Sequence, residues 1–500
     1  MGTLALGIDL GTSSTKVALV DPGIGLVAQA SAETELFTPH PGWAEADPTQ
    51  WWRNVCALIP QVLAQAGLEA RDVAAVATTG MVPAVIPIGA NGEVLRRAIL
   101  QNDTRAGAQV ETLTARLERR GFDAVAQTGS AITQQSVGPT LMWLAEYETE
   151  ISNRARSVVG SYEWLALALG ADRHLERNWA LESGLYPIRG ATPIADVLEA
   201  ASIDAGLLGP VREPSTVVGS VSAAAAAETG LAAGTPIVVG GADHVLSAYA
   251  AGLSEPGDWM VKLGSAADIL AVTKQPVADR RLYLDAHPQP GLWLPNGCMA
   301  TSGSAAGWLG HDILGEQSID ALEAEAQAAA PAEVIFLPFL LGEKSPWNDP
   351  DLRGAVLGLR MDIKRGDLYR GVLEGTAYGF RHHHEVFAEL GIALKPQAAV
   401  TNGGSRSRVG KQIIADVLQT TLFPIIGHPG ASLAAALLAA KGARLVDDLG
   451  QVKHLVRTGE PIIPDPALAE RYTDGYGIYR RVADALVPSM HSLARRSPLT

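Results

Sequence analysis

The chain opens with short apolar runs separated by turn residues. These runs cover residues 4–9, 16–21 and 26–34, and the dipeptide Pro22-Gly23 separates the second run from the third. Apolar runs of this length, bounded by Gly and Pro, are typical of strands joined by tight turns. We therefore expect a β-meander at the N-terminus.

Helical and strand patterns alternate after the meander. Apolar residues recur at helical spacing over 48–66, and residues 73–78 and 235–241 are short apolar runs typical of buried strands. A further amphipathic helix is predicted over 407–420. The uncharged stretch 73–90 contains Thr, Gly and Pro, so we interpret it as a buried strand and loop rather than a membrane span. The pattern predicts an α/β fold.

The beginning of the chain is echoed near its middle. Residues 258–270 repeat the order of apolar strand, Gly-Ser/Thr turn and apolar strand seen at residues 4–21, after a turn-rich segment at 252–257. Two similarly built halves follow from this repeat, and their predicted extents are 1–252 and 253–500. Such halves could face one another across a cleft.

The first turn carries candidate chemistry. Asp9 ends an apolar strand, and Gly11, Thr12, Ser13 and Thr15 follow it. A tight glycine turn directs backbone N–H groups at phosphate oxygens, while the hydroxyls and the carboxylate suit a metal-bound polyphosphate. The turn is therefore a candidate nucleotide site.

Two later turns share this character, namely Gly264-Ser265 and Gly403-Gly404. The second of them lies between a predicted strand and a predicted helix, an arrangement that favours anions. It is not a Walker A loop, because five residues separate Gly404 from Gly410 and Gln412 follows Lys411.

Composition narrows the class of protein. The chain has 500 residues and a net charge of −14, so a basic surface for nucleic acid or an anionic membrane is not expected. The two cysteines, Cys56 and Cys298, have no zinc-type spacing, and no cationic leader precedes Lys16. We expect a cytoplasmic enzyme without nucleic-acid or membrane partners. Its oligomeric state stays open, with a homodimer as one alternative.

Taken together, the motifs resemble those of the FGGY carbohydrate kinases, members of the actin/hexokinase-like ATPase superfamily, over essentially the full length. In chain order they are Asp9-Leu-Gly-Thr-Ser, Pro41-Gly-Trp43-Ala-Glu45-Ala-Asp47-Pro48, Trp51-Trp52, Asn102-Asp103-Thr-Arg105, Gly240-Gly-Ala-Asp243, Leu263-Gly264-Ser265, Phe336-Leu-Pro338-Phe-Leu-Leu-Gly342-Glu343-Lys-Ser-Pro346, Gly354-Ala-Val-Leu-Gly358 with Asp367 to Gly375 after it, and Asn402-Gly403-Gly404-Ser405.

The resemblance implies two RNase H-like (actin-like ATPase) domains, a central cleft for ATP and sugar, and phosphorylation of a sugar or polyol hydroxyl. Asp243 would be the general base that accepts the proton of that hydroxyl. Asp9 would orient Mg²⁺ through its waters, with Asp243 also near the metal. The turns at Gly11–Thr15 and Gly264-Ser265 would grip the phosphates, and Gly403-Gly404 would lie against the adenosine.

The sugar side is less decisive. By resemblance, Met81, Val82, Gln101, Asp103 and His244 would contact substrate. Val82 stands where xylulokinases have His, His244 where they have Asn, and the Arg-Glu pair of glycerol kinases is missing, which disfavours glycerol. Chain length and the Asn102-Asp103 pair favour a ketopentose such as D-xylulose. Ribulose and tetritols or pentitols remain alternatives.

Other hypotheses concern single residues and the function class. An actin-like ATPase without a sugar substrate would need the nucleotide motifs but not the sugar-side motifs. Glu343 is expected to be a structural pairing or capping residue, and Trp43 is expected either to pack a loop or to contact substrate. Residues His382 to His384 point in different directions around a helix, which predicts a solvated helix surface rather than a metal site.

Overall fold

A computed structural model describes residues 2–316, 318–401, 407–427 and 430–496. Its strands are β1 Leu4–Leu10, β2 Ser14–Asp21, β3 Gly25–Glu33, β4 Glu45–Ala46, β5 Val73–Gly80, β6 Ile86–Ile88, β7 Ala98–Ile99, β8 Ser157–Val159, β9 Leu175–Glu176, β10 Val211–Arg212, β11 Val217–Ser220, β12 Pro236–Ala242, β13 Trp259–Leu263, β14 Ala267–Ala271, β15 Tyr283–Ala286, β16 Trp293–Met299, β17 Ile335–Leu337, β18 Ala355–Leu357, β19 Gln397–Thr401 and β20 Thr421–Pro424.

The α-helices of the same residues are α1 Pro48–Ala66, α2 Gly107–Arg119, α3 Ala124–Thr128, α4 Val137–Tyr147, α5 Thr149–Arg154, α6 Ser161–Leu169, α7 Arg177–Glu182, α8 Ala195–Ala201, α9 Ala223–Thr229, α10 Asp243–Ala250, α11 Gly303–Gly307, α12 Ile319–Ala328, α13 Arg365–Glu389, α14 Arg408–Leu418, α15 Ala431–Gly442, α16 Val452–Leu455 and α17 Ala469–Arg496. None of the helices in the described ranges is both long and apolar enough to cross a membrane.

Two mixed sheets of six strands organise the described residues. The first has the order β11-β12-β5-β1-β2-β3, and the second has the order β15-β16-β14-β13-β19-β20. In the first, β1 pairs antiparallel with β2 and parallel with β5, and β5 pairs parallel with β12. In the second, β13 pairs antiparallel with β14 and parallel with β19, and β19 pairs parallel with β20.

The two sheets therefore share one pattern of five strands, with two antiparallel and then two parallel pairings. The echo between residues 4–21 and 258–270 reflects this duplication, since β1 and β2 correspond to β13 and β14. The predicted α/β fold with two RNase H-like domains is confirmed. The predicted meander is also confirmed, because β1, β2 and β3 pair antiparallel in sequence order.

The first sheet has chemically different faces. Leu6, Ile8 and Leu10 of β1 join a large apolar core that also contains residues of α1, whereas Ala5 joins a cluster with the alanine-rich α15. Because side chains alternate along a strand, Asp9 lies on the same face as Ala5. The small residues of this face allow a helix to approach closely.

The C-terminal segment crosses between the halves. Helix α15 packs on β1, β5 and α10 of the first half, although it follows the second sheet in sequence. Helix α10 in turn joins an apolar cluster with Met260 and Leu270 of the second sheet. The predicted division at 252 and 253 thus separates the two sheets, but α15 lies against the sheet of the first half. The sequence division missed this long-range packing.

Candidate active site

Asp243 lies where a parallel strand meets a helix. It is the first residue of α10, directly after β12. Gly240 permits this strand to approach its neighbour, because a Cβ there would lie 1.8 Å from the carbonyl oxygen of Thr78. The Asp243 side chain is 35% exposed, and its Oδ1 accepts the backbone N–H of His244 at 2.6 Å. A half-exposed carboxylate held at a strand end is available to a substrate hydroxyl.

The first phosphate-type turn joins β1 to β2. Gly11 N donates to Ser14 O at 2.9 Å, and Thr34 N donates to Ser13 O at 3.0 Å. Gly11 and Thr12 are half-buried, and Ser13 is exposed. The turn is therefore fixed by its own backbone bonds, while the tip stays accessible.

Thr15 does not lie with this accessible tip. It is fully buried, and its hydroxyl is 3.3 Å from that of Thr34 and accepts from Asn54 Nδ2 at 3.4 Å. The structure therefore corrects the prediction that Thr15 contacts a phosphate, because the alternation of side chains along β2 turns that of Thr15 inward.

Asp9 is electrostatically unsatisfied. The residue is buried, and its Oδ1 has no hydrogen-bond partner among the described residues. Burial, followed by the nearby charge of Asp243, raises the pKa of Asp9 to about 7, although Lys16 and Lys262 act in the opposite direction. A buried carboxylate beside a second carboxylate is stabilised by positive charge, and carboxylate oxygens are the preferred ligands of Mg²⁺. The residues present fit a magnesium site.

The second phosphate-type turn is Gly264-Ser265, between β13 and β14. Ser302 N and Ser304 N donate to Ser265 O at 2.8 and 3.1 Å, and Gly303 N donates to Gly264 O at 3.0 Å. The backbone N–H groups at the start of α11 thus fix the carbonyl oxygens of this turn. Ser265 itself is exposed, so its hydroxyl and the turn backbone are accessible to a phosphate.

A cavity of about 290 Å³ adjoins this second turn. Its lining includes Leu263, Gly303, Tyr369 and Ser407, with polar groups from His311, Asp320 and Glu323. A half-apolar cavity beside a phosphate-type turn suits a nucleoside. The predicted adenosine residues Gly403 and Gly404 lie outside the described residues, a few positions before Ser407.

Lys262 adds a cation to the cleft. Its Nζ lies 3.4 Å from Asp268 Oδ2 across the β13–β14 hairpin. Burial lowers the pKa of Lys262, but Asp268 and Asp243 outweigh this effect and raise it. Lys262 stays charged, two residues before Gly264. It is the only charged residue of β13, and a lone charge in an otherwise apolar strand is the sequence signal that could have identified it.

His244 belongs to a charged network beside the base. Its Nε2 donates to Asp285 Oδ2 at 2.8 Å and lies 3.9 Å from Glu182 Oε1, while its Nδ1 lies 3.6 Å from Asp243 Oδ1. Burial lowers the pKa of His244, but Asp285 and its other acidic neighbours raise it well above its usual value. Burial and Asp285 raise the pKa of Glu182. Sequence motifs had not pointed to Glu182 or Asp285.

The other predicted sugar residues have mixed surroundings. Met81 and Val82 are buried next to the end of β5, and Gln101 is half-buried with its Oε1 unpartnered in the described part of the chain. Gln101 therefore keeps a free acceptor.

Asp103 is a different case, because protein groups occupy its carboxylate. Ala44 N donates to Oδ2 at 2.6 Å, and Arg105 donates to both oxygens, from Nε at 2.8 Å and from Nη2 at 2.7 Å. Asp103 is also buried. The structure thus corrects the prediction that Asp103 contacts the sugar. Its carboxylate instead holds Arg105 and the loop before β4.

Trp43 and Glu343 have packing and pairing roles in the structure. The guanidinium of Arg105 lies 3.7 Å from the ring centroid of Trp43, and Trp143 contacts the same ring edge-on. Glu343 Oε1 accepts the backbone N–H groups of Ala300 and Lys344 at 2.6 and 2.9 Å. The structural interpretation of Glu343 agrees with these contacts.

The histidines of α13 are not on a solvated surface. His382 and His383 are buried, and His383 Nε2 lies 2.9 Å from Ser345 Oγ. Its Nδ1 is bonded to Gly379 O at 2.9 Å. The expectation of a solvated surface was wrong because α13 lies in the core of the second half, where Gly297 leaves space for the His383 ring.

Two sheets of matching topology, each with a phosphate-type turn, and a strand-end carboxylate whose charge acts on Asp9 of the first sheet and Lys262 of the second define a phosphotransferase with the actin-like ATPase fold. The model of the FGGY family of carbohydrate kinases, N-terminal domain, matches residues 4–250, and that of the C-terminal domain matches residues 260–443. The chain belongs to the FGGY family of carbohydrate kinases. It is accordingly an ATP-dependent sugar phosphotransferase.

Relatives with known names cover nearly the whole chain. The structure of a xylulose kinase from Rhodospirillum rubrum has 39% identity and a TM-score of 0.91, over 98% of this chain and 100% of that one. A xylulose kinase of Escherichia coli K12 is 28% identical over 97% of this chain and 99% of its own length. A gluconokinase of Bacillus subtilis is 24% identical over 91% of each.

Proposed function

We propose that the chain phosphorylates a ketopentose of the D-xylulose type, with ATP as donor and Asp243 as general base. The observation that supports this most directly is the placement of Asp243. Its half-exposed carboxylate begins α10, and its negative charge raises the pKa of Asp9 in the first half and of Lys262 in the second. The relatives named xylulose kinase support the ketopentose.

The chain's own groups would divide the work as follows. The turns at Gly11–Ser13 and Gly264-Ser265 hold the phosphates, and the cavity beside Ser407 takes the nucleoside. Asp243 accepts the proton of the sugar hydroxyl while the hydroxyl oxygen forms a bond to the γ-phosphorus of ATP. The bond between the γ-phosphorus and the oxygen that bridges it to the β-phosphate breaks, and ADP is released.

Asp9 and Asp243 would hold Mg²⁺, directly or through its waters. When bound, the ion neutralises phosphate charge during transfer. Lys262 contributes a second fixed positive charge beside the Gly264 turn. Closure of the cleft around bound ATP and sugar would limit the access of water, the competing acceptor of the phosphoryl group.

The test is ADP release with Mg-ATP across ketopentoses, aldopentoses, tetritols, pentitols, hexoses and glycerol, with a no-sugar control. Strongest stimulation by D-xylulose supports the proposal. If ribulose or a polyol stimulates ADP release most strongly, the proposed substrate is wrong but the proposed mechanism still applies. Sugar-independent hydrolysis across the panel would contradict the proposed function.

A further inference from the structure

Three polar side chains from separate elements meet beside Asp243. His244 lies on α10, Glu182 ends α7 and Asp285 lies on β15. One N or O atom of each lies within 4.8 Å of the other two. The cluster joins both halves of the molecule, because α7 and α10 belong to the first half and β15 to the second.

Two carboxylate oxygens of this cluster accept no hydrogen bond from the described part of the chain. Asp285 is only 2% exposed, and its Oδ2 accepts from His244 Nε2 at 2.8 Å and from Asn296 Nδ2 at 2.7 Å. Its Oδ1 has no hydrogen-bond partner within the described residues, and neither does Glu182 Oε1, which lies 3.9 Å from His244 Nε2. A buried carboxylate oxygen without a donor is costly, so each such atom requires an explanation.

The position of these acceptors is fixed before substrate arrives. Asn178 on α7 donates from Nδ2 to Ala286 O at 3.0 Å and accepts Ala286 N at 2.7 Å through Oδ1. This pair of hydrogen bonds attaches α7 to β15, and so sets Glu182 against Asp285. A preformed set of acceptors loses little ordering free energy when it binds a ligand.

We propose that Glu182 and Asp285, with His244 between them, form an acceptor wall of the sugar site that binds hydroxyl donors and selects neutral sugars over sugars carrying a carboxylate. This inference rests on the proposed function, because it assumes that the sugar binds beside Asp243. Hydroxyl groups supply the donors that the two unpartnered oxygens lack.

Charge gives the selectivity. The three acids Asp243, Glu182 and Asp285 lie beside one histidine, so a carboxylate-bearing sugar would bring another negative charge next to a half-buried acidic cluster. Family membership alone does not decide this point, since the relatives include both xylulose kinases and a gluconokinase.

The experiment compares kcat/KM for a neutral sugar with that for acidic sugars. The probes are the neutral sugar that most stimulates ADP release, D-xylonate and D-gluconate. We expect the wild-type enzyme to favour the neutral sugar by about 100-fold or more, the discrimination that unpaired buried groups can produce.

Two isosteric variants test the residues themselves. Asp285→Asn and Glu182→Gln should each raise KM for the neutral sugar about tenfold, the loss expected for one hydrogen bond to a charged group, and reduce the discrimination against D-xylonate. KM for ATP should stay unchanged, which separates a sugar-site effect from misfolding. Glu111→Gln, on the exposed face of α2, is the matched control and should change neither KM for the neutral sugar nor the discrimination against D-xylonate.

A wild-type preference for D-xylonate or D-gluconate would overturn the inference, and so would an unchanged discrimination ratio in folded Glu182→Gln. If Asp285→Asn does not fold, the wild-type ratio and Glu182→Gln decide the question. Failure of the proposed function has a different result, because then no sugar on the panel stimulates ADP release by the wild-type enzyme.

Discussion

Gly7 on β1 and Ser432 on α15 are in direct backbone contact, such that a Cβ on Gly7 would lie 1.9 Å from the carbonyl oxygen of Ser432. Helix α15 therefore crosses β1 at a point where the strand has no side chain. Asp9 lies two residues further along the same face. The strand that carries Asp9 is thus supported by a helix from the other end of the chain.

Gly7→Ala tests this contact. The added methyl group must push α15 away from β1, because the three nearest atoms all belong to the backbone of α15, and overpacking of this kind costs about 1–3 kcal/mol. We expect a lower melting temperature than for Gly107→Ala, whose Cβ would meet no heavy atom within 4 Å. Equal melting temperatures for the two variants would contradict this prediction, because they would show that α15 can move away from β1 without loss of stability.

Asp9→Asn should stabilise the protein in a pH-dependent way. The folded pKa of Asp9 is about 7, against a usual value of 3.8. The folded state therefore binds more protons than the unfolded state between those values, and the contribution of Asp9 to stability falls as pH rises to about 7. At higher pH the buried carboxylate destabilises the protein in the absence of a cation.

Urea unfolding without metal or nucleotide, at pH 5 and pH 8, measures this effect. The gain of Asp9→Asn over the wild type should be larger at pH 8, by about 1–3 kcal/mol. Asp196→Asn, at an exposed carboxylate, should show no such difference. A gain that is equal at both pH values would contradict the unsatisfied charge of Asp9.

Gly303→Ala should weaken ATP binding more than sugar binding. A Cβ at this position would lie 2.7 Å from Gly264 O and so displace the second phosphate-type turn. We expect KM for ATP to rise severalfold while KM for the sugar changes little, since the sugar residues lie on other elements. Steady-state kinetics with Gly107→Ala as the control tests this. A selective rise in the sugar KM would argue against the phosphate role of Gly264-Ser265.

Local features of the fold were predictable from sequence, and long-range features were not. The meander, the repeat and the strand ending at Asp243 follow from apolar runs and turn residues within short windows. The packing of α15 on β1 joins residues more than 400 positions apart, and a run of alanines does not reveal its partner. The burial of His383 likewise depends on the gap left by Gly297 on another element.

The site shows the same division. Asp9, Gly11 and Asp243 stand in local motifs whose residue types predict the roles proposed for them. Thr15 and Asp103 also stand in motifs, but neighbours that are distant in sequence occupy their polar atoms. Glu182 and Asp285 lie in no motif, and only the docking of α7 on β15 brings them together.

The most direct test of the account is transfer of the γ-phosphoryl group from ATP to the sugar by Asp243→Asn. The variant keeps the size of the side chain but removes the proton acceptor, so we expect turnover to fall by about 10²–10⁴-fold while calorimetry shows unchanged ATP binding. Glu111→Gln should retain wild-type turnover. Near-normal sugar phosphorylation by folded Asp243→Asn would remove Asp243 from the mechanism and contradict the account.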